Sequence, residues 1–319
     1  MDLASIRQQY LAEEPVYQEV VKYVSKQVTC GLRAKGITAQ VHGRCKEIHS
    51  VLAKVVRRRY SDPLNDMIDM AGVRAVVKYQ SDLPSAEEVI EKSFEVLHRD
   101  DKANLLGKNK VGYQSIHFDI RIIGDVQDSI VGRTCEIQLR TMCQDLWAEM
   151  AHSLSYKSLQ PPSSDVDCRL NKLSALLQFV DCQFEALNRE VMSMPGQGKR
   201  RLLAELEKHF YRLVSATYDR ELSLSVLEFL MPLVGETQED ITQVSSFIQD
   251  RSSLIEERIR ETQEKPERVF VFQPEGLLLF YLLENDPYQL IGVWADHLDV
   301  GFLEDVATTW GLSGIALYE

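Results

Sequence analysis

The sequence predicts an α+β fold, with a mixed β-sheet flanked by helices over residues 1–195 and an acidic, mostly helical domain over residues 196–319. Helical and alternating apolar patterns are intermixed up to residue 195, which is typical of a sheet covered by helices. The segment Met194-Pro195-Gly196-Gln197-Gly198 is the clearest break in the chain. The balance of charge changes near the same point, and 319 residues are enough for two ordinary domains.

The first predicted elements are two helices and a short strand. A helical spacing of apolar residues starts at Pro15, because proline suits the first turn of a helix. Residues 37–41 alternate as a short strand that closes at Gly43. From Lys46 the apolar spacing is helical again, and the opposite face of this helix presents cations. Those cations are Lys46, Lys54 and Arg57 or Arg58.

Further strands follow, and two of them carry polar residues along one face. Residues 73–79 have the pattern of a buried strand, and a helix over residues 86–97 runs into another strand. Residues 116–121 and 135–140 alternate apolar and polar side chains, which predicts strands buried on one face only. Thr141 and Gln144 together form a plausible capping box for the next helix.

The remaining predicted elements are helices. Residues 170–187 predict an amphipathic helix. Beyond the break, residues 202–230 are mostly helical in pattern, and Pro232 should stop that helix because it lacks an N–H donor. Residues 241–262 predict a second helical stretch.

Composition argues against membrane and metal-ribbon proteins. No apolar run reaches the roughly 18–20 residues that cross a bilayer, and the first residues lack the basic-then-apolar layout of a signal peptide. We therefore expect a cytoplasmic protein without a membrane partner. The six cysteines form no Cys-x-x-Cys pair, so we expect reduced thiols rather than a zinc ribbon or a redox dithiol.

Acidic charge is concentrated in the second half of the chain. Residues 196–319 hold 11 Lys and Arg against 22 Asp and Glu, whereas residues 1–195 hold 25 against 26. An acidic half should repel nucleic acid and suits contact with a basic protein partner. An acidic surface that keeps the protein soluble explains the same composition, so both interpretations stay open.

Two acids stand at the edges of the predicted strands, with cations nearby. Asp69 lies just before the strand over residues 73–79, and Glu136 lies on the polar face of the strand over residues 135–140. Converging carboxylates of this kind hold Mg²⁺, which takes oxygen ligands and bridges substrate phosphates. Phosphoryl-type transfer depends mainly on positioning and charge neutralisation, so Arg and Lys are expected around the metal. The sequence therefore predicts Mg²⁺-dependent nucleotidyl or pyrophosphoryl transfer.

Three motifs occur in order along this stretch. They are Asp69-x-x-Gly72-x-Arg74, Gly112-Tyr113-x-Ser115-x-His117 and Glu136-x-Gln138-x-Arg140-Thr141. With these motifs the chain resembles the synthetase domain of the RelA/SpoT family, the enzymes that make the alarmones ppGpp and pppGpp. The resemblance covers residues 35–160, and the layout is similar to that of the small stand-alone synthetases.

The resemblance implies a nucleotidyltransferase-like fold and a transfer of the β,γ-pyrophosphate of ATP to the 3′-oxygen of GDP or GTP, leaving AMP. It implies that Asp69 and Glu136 bind Mg²⁺ and that Glu136 also activates the 3′-hydroxyl. The implied ATP-binding cations are Arg44, Lys46, Lys54 and Arg74. The implied acceptor side consists of Tyr113 stacked on guanine, His117 near the acceptor phosphates, and Gln138, Arg140, Lys108 and Lys110.

Three positions depart from the family pattern and leave the acceptor open. The family usually has Asn directly before the Gly-Tyr pair and Lys two residues earlier, where this chain has Val111 and Asn109. The family often has Glu where this chain has Ala151. Two alternatives are a toxic family member that pyrophosphorylates tRNA 3′ ends or makes adenosine alarmones, and a synthetase gated by a sensing C-terminal domain. Assembly of a homo-oligomer through residues 170–187 is a further expectation.

Overall fold

The computed structural model of the protein describes residues 3–58, 60, 62–101, 115–156, 164–194, 196–214, 217–262 and 268–312. The chain divides into two compact units. The first comprises residues 1–32 and 37–187, and the second comprises residues 33–36 and 188–319. Among the described residues, no helix has the length and apolar character that crossing a membrane requires.

The first unit is a five-stranded sheet with helices, so the predicted α+β class is confirmed. Its strands are β1 (Ala39–Cys45), β2 (Ala71–Val77), β3 (Glu95–Asp101), β4 (Ile116–Arg121) and β5 (Thr134–Thr141). Its helices are α1 (Leu3–Ala34), α2 (Ile48–Arg58), α3 (Pro63–Asp66), α4 (Leu83–Ser93), α5 (Met142–Tyr156) and α6 (Ser164–Ser193), of which α6 runs on into the second unit.

The strand order is β1-β2-β5-β4-β3, and the sheet is mixed. Strands β2 and β5 are parallel, whereas the other three neighbouring pairs are antiparallel. The parallel pair brings the chain around residue 72 beside the chain around residue 136. Two motifs that lie more than sixty residues apart in sequence therefore meet at the centre of the sheet.

One face of the sheet packs on α1 and α4, and this apolar core leaves the other face to polar residues. The strand residues of the core are Val73, Ala75, Val77, Phe118, Ile120, Cys135, Ile137 and Leu139, and the helix residues include Val20, Val24, Val28, Ala86, Val89 and Ile90. Each fully buried Val or Ile stabilises the fold by roughly 1.5–3 kcal/mol. A register slip of one residue would turn the whole set to the polar face, so the burial fixes the register.

Helix α1 differs from the prediction, because it begins at Leu3 and Pro15 lies inside it. An internal proline loses one helical hydrogen bond, which normally ends a helix. Here Ile6 and Tyr10, upstream of the proline, are buried in one cluster with Tyr17 and with residues of α2. Packing of the first turns outweighs the lost hydrogen bond, and this contact cannot be read from the local sequence.

The second unit is helical, as predicted. Its helices are α7 (Gly198–Leu213), α8 (Arg220–Val234), α9 (Gln238–Asp250), α10 (Ser252–Thr262), α11 (Pro274–Asn285), α12 (Pro287–Ala295) and α13 (Val300–Thr309). They surround a core that includes Leu206, Phe210, Leu227, Phe280 and Trp294.

Three details of the second unit correct the prediction. The stretch 202–230 is two helices, because the Asp219 side chain accepts hydrogen bonds from Glu221 N and Leu222 N and so begins α8. Pro232 does not stop α8, which continues to Val234 and ends at Gly235 with a φ of 95°. The stretch 241–262 is also divided, into α9 and α10.

Candidate active site

A cavity of about 240 Å³ lies on the polar face of the sheet in the first unit. Its lining residues are His42, Gly43, Arg44, Lys46, Asp69, Gly72, Val73, Arg74, Glu136 and Gln138. The strand register explains why they meet. On β1 and β2, Arg44 lies opposite Gly72, and on β2 and β5, Gly72 lies opposite Glu136. Alternation then places the neighbouring residues two positions away on the same face.

Asp69 anchors one side of this cavity. It lies in the short 3-10 turn Ile68–Met70 that leads into β2. Its Oδ2 accepts hydrogen bonds from Lys46 Nζ at 2.6 Å and from Lys54 Nζ at 2.8 Å. Burial alone would raise the pKa of Asp69, but the hydrogen bonds and charges of the two lysines outweigh burial and hold this pKa below its ordinary value. Asp69 is therefore ionised at neutral pH.

Lys46 reaches Asp69 from a different place than predicted. The sequence placed Lys46 and Lys54 together on one helix face, whereas α2 begins at Ile48 and Lys46 precedes it. Lys46 follows the end of β1, and its backbone N–H donates to Met70 O at 2.9 Å. The two ammonium groups converge because both neighbouring elements border the turn that carries Asp69.

Glu136 lies on the other side of the cavity, on β5, the central strand of the sheet. His117 Nδ1 on β4 lies 3.2 Å from Glu136 Oε1, and Gln138 Nε2 donates to Glu136 Oε2 at 2.7 Å. Burial would raise the pKa of Glu136, but these hydrogen bonds with His117 and Gln138 lower it below its ordinary value. A half-buried carboxylate that stays ionised suits a metal ion or a proton acceptor.

The donor set fits one divalent cation that also binds substrate oxygens. Asp69 lines the cavity, and its Oδ1 is buried and has no hydrogen-bond partner within the described part of the chain, so one carboxylate oxygen is left unsatisfied. Three or more His, Cys, Asp or Glu side chains that would hold a metal by themselves do not occur together among the described residues. Mg²⁺ commonly binds through one or two carboxylates plus substrate phosphates, which matches Asp69 and Glu136.

Arg140 lies behind the cavity rather than on its wall. Its side chain is 7% exposed, its Nε donates to Ser115 Oγ at 3.1 Å, and its NH2 group donates to Gln138 Oε1 at 2.7 Å. Its NH1 group lies 3.0 Å from Asp145 Oδ1. The guanidinium thus contacts protein groups on three sides, and it supports Gln138.

The structure brings most of the predicted site residues together. The cavity wall includes Arg44, Lys46, Asp69, Arg74, Glu136 and Gln138. Lys54 and His117 contact its two carboxylates without being among its lining residues. The predicted acceptor residues Lys108, Lys110 and Tyr113 lie outside the described residues, as do Asn109 and Val111.

Sequence reasoning missed three residues at or next to the site. His42 lines the cavity, and its alternation with Arg44 on β1 was the available signal. Asp119 lies opposite Glu136 on β4, and burial and the Glu136 charge raise its pKa above the ordinary value. Asp145 in the first turn of α5 contacts both Arg74 and Arg140. Nothing local marks Asp145, since its partners come from two strands.

Comparison with known proteins identifies related sequences. Residues 43–160 match the family model described as a region found in RelA / SpoT proteins. The GTP pyrophosphokinase YjbM of Bacillus subtilis is 29% identical over 171 residues, which cover 50% of this chain and 77% of that protein. The GTP pyrophosphokinase YwaC of the same organism is 23% identical over 152 residues, which cover 46% of this chain and 72% of that protein.

Solved structures agree with this relationship. The small alarmone synthetase 1 from Bacillus subtilis superposes with a TM-score of 0.50 at 25% sequence identity. The superposition covers 58% of this chain and 99% of that chain. This superposition therefore covers somewhat more than half of this chain.

Proposed function

We propose that this chain, whose residues 43–160 form a domain of the RelA/SpoT family, is a GTP pyrophosphokinase. In this proposal the β,γ-pyrophosphate of ATP is transferred to the 3′-hydroxyl of GDP or GTP, which gives ppGpp or pppGpp and AMP. The observation that carries the proposal is the pairing of Asp69 and Glu136 at one cavity whose wall also holds Arg44, Lys46 and Arg74. The relatives named GTP pyrophosphokinase support the same reaction.

Asp69 and Glu136 are the proposed ligands of Mg²⁺, which when bound neutralises charge on the transferred phosphates. The cations of the wall have a separate task. Lys46 and Lys54 bind Asp69 in this structure, and polyphosphate oxygens compete for the same ammonium groups. We propose that ATP takes over these lysines, together with Arg44 and Arg74, which places its β-phosphorus beside Glu136.

Glu136 is the proposed proton acceptor. As the acceptor O3′ forms a bond to Pβ, the bond between Pβ and the α,β-bridging oxygen breaks, and AMP leaves with that oxygen. The proton of the 3′-hydroxyl moves to Glu136, whose lowered pKa keeps it ionised before the reaction. His117 and Gln138 hold the two oxygens of Glu136. Tyr113, Lys108 and Lys110 stay proposed acceptor contacts on the sequence motif alone.

A labelling experiment tests this function. The protein is incubated with Mg²⁺ and γ-labelled ATP, with GDP, GTP, ATP and bulk tRNA offered separately. We expect label on a guanine nucleotide, and loss of that product in Glu136→Gln by at least about 100-fold. Label on tRNA or on an adenine nucleotide would replace the guanine acceptor with one of the alternatives. Label on no acceptor would refute the proposed enzymatic activity, and a Glu136→Gln variant as active as the wild type would refute Glu136 as the proton acceptor.

We also propose that copies of this chain associate through α5 and α6. These helices carry apolar side chains that are exposed in the single chain. They include Met142, Leu146, Met150 and Leu154 on α5 and Leu173, Leu176, Phe179, Phe184 and Leu187 on α6. Large exposed apolar side chains clustered on two neighbouring elements of the sequence are typical of an interaction site.

A further inference from the structure

Asp145 lies between two arginines that come from different strands. Helix α5 begins at Met142, directly after β5 ends at Thr141, so its first turn stays beside the sheet. Asp145 Oδ1 lies 3.0 Å from Arg140 NH1 and 3.1 Å from Arg74 NH1. Arg74 NH1 also donates to Asp145 Oδ2 at 3.3 Å. One carboxylate therefore holds a guanidinium of the cavity wall and a buried guanidinium behind it.

A chain of oriented hydrogen bonds continues from Arg140 to Glu136. Arg140 NH2 donates to Gln138 Oε1 at 2.7 Å, and Gln138 Nε2 donates to Glu136 Oε2 at 2.7 Å. A guanidinium only donates, so the Gln138 amide has its oxygen toward Arg140 and its nitrogen toward Glu136. Rotation of the amide by half a turn would lose both bonds. The direction of this amide in turn fixes one oxygen of Glu136.

We infer that Asp145 is a positioning residue that couples the ATP side of the site to the acceptor side. It holds Arg74 directly, and it holds Glu136 through Arg140 and Gln138. This inference rests on the proposed function, which assigns Arg74 to ATP and Glu136 to the acceptor hydroxyl. Arg140 is buried, and a buried guanidinium without its carboxylate is strongly destabilised in that place. Loss of the Asp145 charge should therefore shift Arg140, and with it the amide that orients Glu136.

The test compares Asp145→Asn with wild type in steady-state pyrophosphoryl transfer. Displacement of a reacting group by about 1 Å costs on the order of 100-fold in rate, so we expect kcat to fall by roughly 10- to 100-fold. We expect the KM for ATP to rise as well, because Arg74 loses its anchor. Asp145→Glu, which keeps the charge, should recover part of both losses.

Double-mutant cycles separate positioning from a merely structural role. If Asp145 acts through Gln138, kcat of the double variant with Gln138→Leu should be close to that of Gln138→Leu alone. The effects of Asp145→Asn and Arg74→Gln on the KM for ATP should likewise be non-additive in the double variant. Fully additive effects on kcat and KM in both cycles would overturn the inference, as would an Asp145→Asn variant within twofold of wild type.

Glu87→Gln is the matched control. Glu87 is 19% exposed, close to the 20% of Asp145, and it likewise pairs with an arginine, Arg99, at 2.6 Å. Neither Glu87 nor Arg99 lines the cavity. We expect wild-type kcat and KM for this variant. A wild-type protein that transfers no label would refute the proposed function instead. In that case the affinity for a non-hydrolysable ATP analogue decides: an equal affinity of wild type and Asp145→Asn would overturn the inference.

Discussion

At the scale of single residues, the site is organised as two ionised carboxylates that each have compensating donors. Asp69 is bound by two ammonium groups, and Glu136 is bound by an amide and an imidazole. This difference between the partners matters because a phosphate group can also bind the positively charged ammonium groups. In the proposed function Asp69 therefore links the metal ion to the ATP-binding cations, whereas Glu136 is held by an amide and an imidazole that orient it.

Replacement of Asp69 by Asn should show this link. The variant loses a proposed metal ligand and the hydrogen-bond acceptor of Lys46 and Lys54, so we expect at least about a 100-fold lower rate, as for other charge-stabilising groups. We also expect a higher Mg²⁺ concentration for half-maximal rate, while a non-hydrolysable ATP analogue still binds. Rates measured across a Mg²⁺ titration test this. Glu88→Gln, which removes an exposed partner of Lys92, is the control, and an unchanged Mg²⁺ dependence in Asp69→Asn would contradict the assignment.

Glu275 is a buried acid in the second unit, and no chemistry is assigned to it above. Its side chain is fully buried, Ser223 Oγ donates to Oε2, and Oε1 has no partner among the described residues. Burial raises the pKa of Glu275 to about 7, the hydrogen bond from Ser223 opposes this, and the charge of Asp219 adds to the rise. The folded unit therefore holds a proton that the unfolded chain releases near pH 4.5.

The sign of the resulting pH dependence follows from linkage. Between about pH 4.5 and pH 7 the folded state binds more protons at Glu275, so stability from this group falls as pH rises, by on the order of 3 kcal/mol in total. Burial lowers the pKa of His209, so the contribution of His209 to stability rises with pH below the ordinary histidine pKa of 6.5. The difference between wild type and Glu275→Gln isolates the Glu275 contribution.

We therefore expect the free energy of unfolding of Glu275→Gln, relative to that of wild type, to rise by about 3 kcal/mol between pH 5 and pH 8. Urea unfolding followed by tryptophan fluorescence, to which Trp294 and Trp310 of the second unit contribute, measures this. Any cost of the new amide is the same at both pH values and cancels in the comparison. A stability difference that does not change with pH would show that Glu275 titrates normally.

At the scale of elements, the sequence predicted what periodicity and motifs encode. Strands β4 and β5 alternate as expected, and the capping box at α5 is confirmed, since Thr141 N donates to Gln144 Oε1 and Gln144 N donates to Thr141 Oγ1. The failures at Pro15 and Pro232 have one cause, because tertiary packing outweighed a local rule. The contact between Asp145 and Arg74 could not be predicted either, since it depends on the parallel pairing of β2 and β5.

Helix α6 secures the start of α5 through a buried acid. Thr141 Oγ1 donates to Asp181 Oδ2 at 2.5 Å, and Asp181 is 4% exposed. Burial and a hydrogen bond to Asp181 also raise the pKa of the Cys143 thiol to about 12, so this cysteine stays protonated. Because α5 carries Asp145, the same contact supports the hydrogen-bond chain that ends at Glu136.

Asp181→Ala should destabilise the first unit. It leaves the buried hydroxyl of Thr141 at the start of α5 without its acceptor, which costs about 1–3 kcal/mol. Urea unfolding followed by tryptophan fluorescence, to which Trp147 of the first unit contributes, tests this value. Glu190→Ala removes an exposed acid from the same helix and should change stability by less than about 0.5 kcal/mol. Equal effects of the two variants would contradict the structural role of Asp181.

At the scale of the whole molecule, α6 carries a regular series of apolar residues, several of which are exposed in the single chain. Apolar residues recur at alternating intervals of four and three, at positions 166, 170, 173, 177, 180, 184, 187 and 191. This is the heptad spacing of helices that pack along one another. Val166, Leu173, Phe184, Leu187 and Val191 of this set are all exposed. A sequence under selection for a soluble monomer would place polar residues there.

We therefore expect the wild-type protein to be an oligomer that Leu173→Glu with Leu187→Glu converts to a monomer. Two charges in a packed apolar seam cost several kcal/mol of association, whereas on an exposed helix face they cost the fold little. Light scattering coupled to size-exclusion chromatography measures the mass, and urea unfolding checks the fold. Ile123→Glu, at a side chain that is 52% exposed outside α5 and α6, should leave the oligomer intact. A monomeric wild type at tens of micromolar, or the same mass in all three proteins, would rule out this seam as the interface.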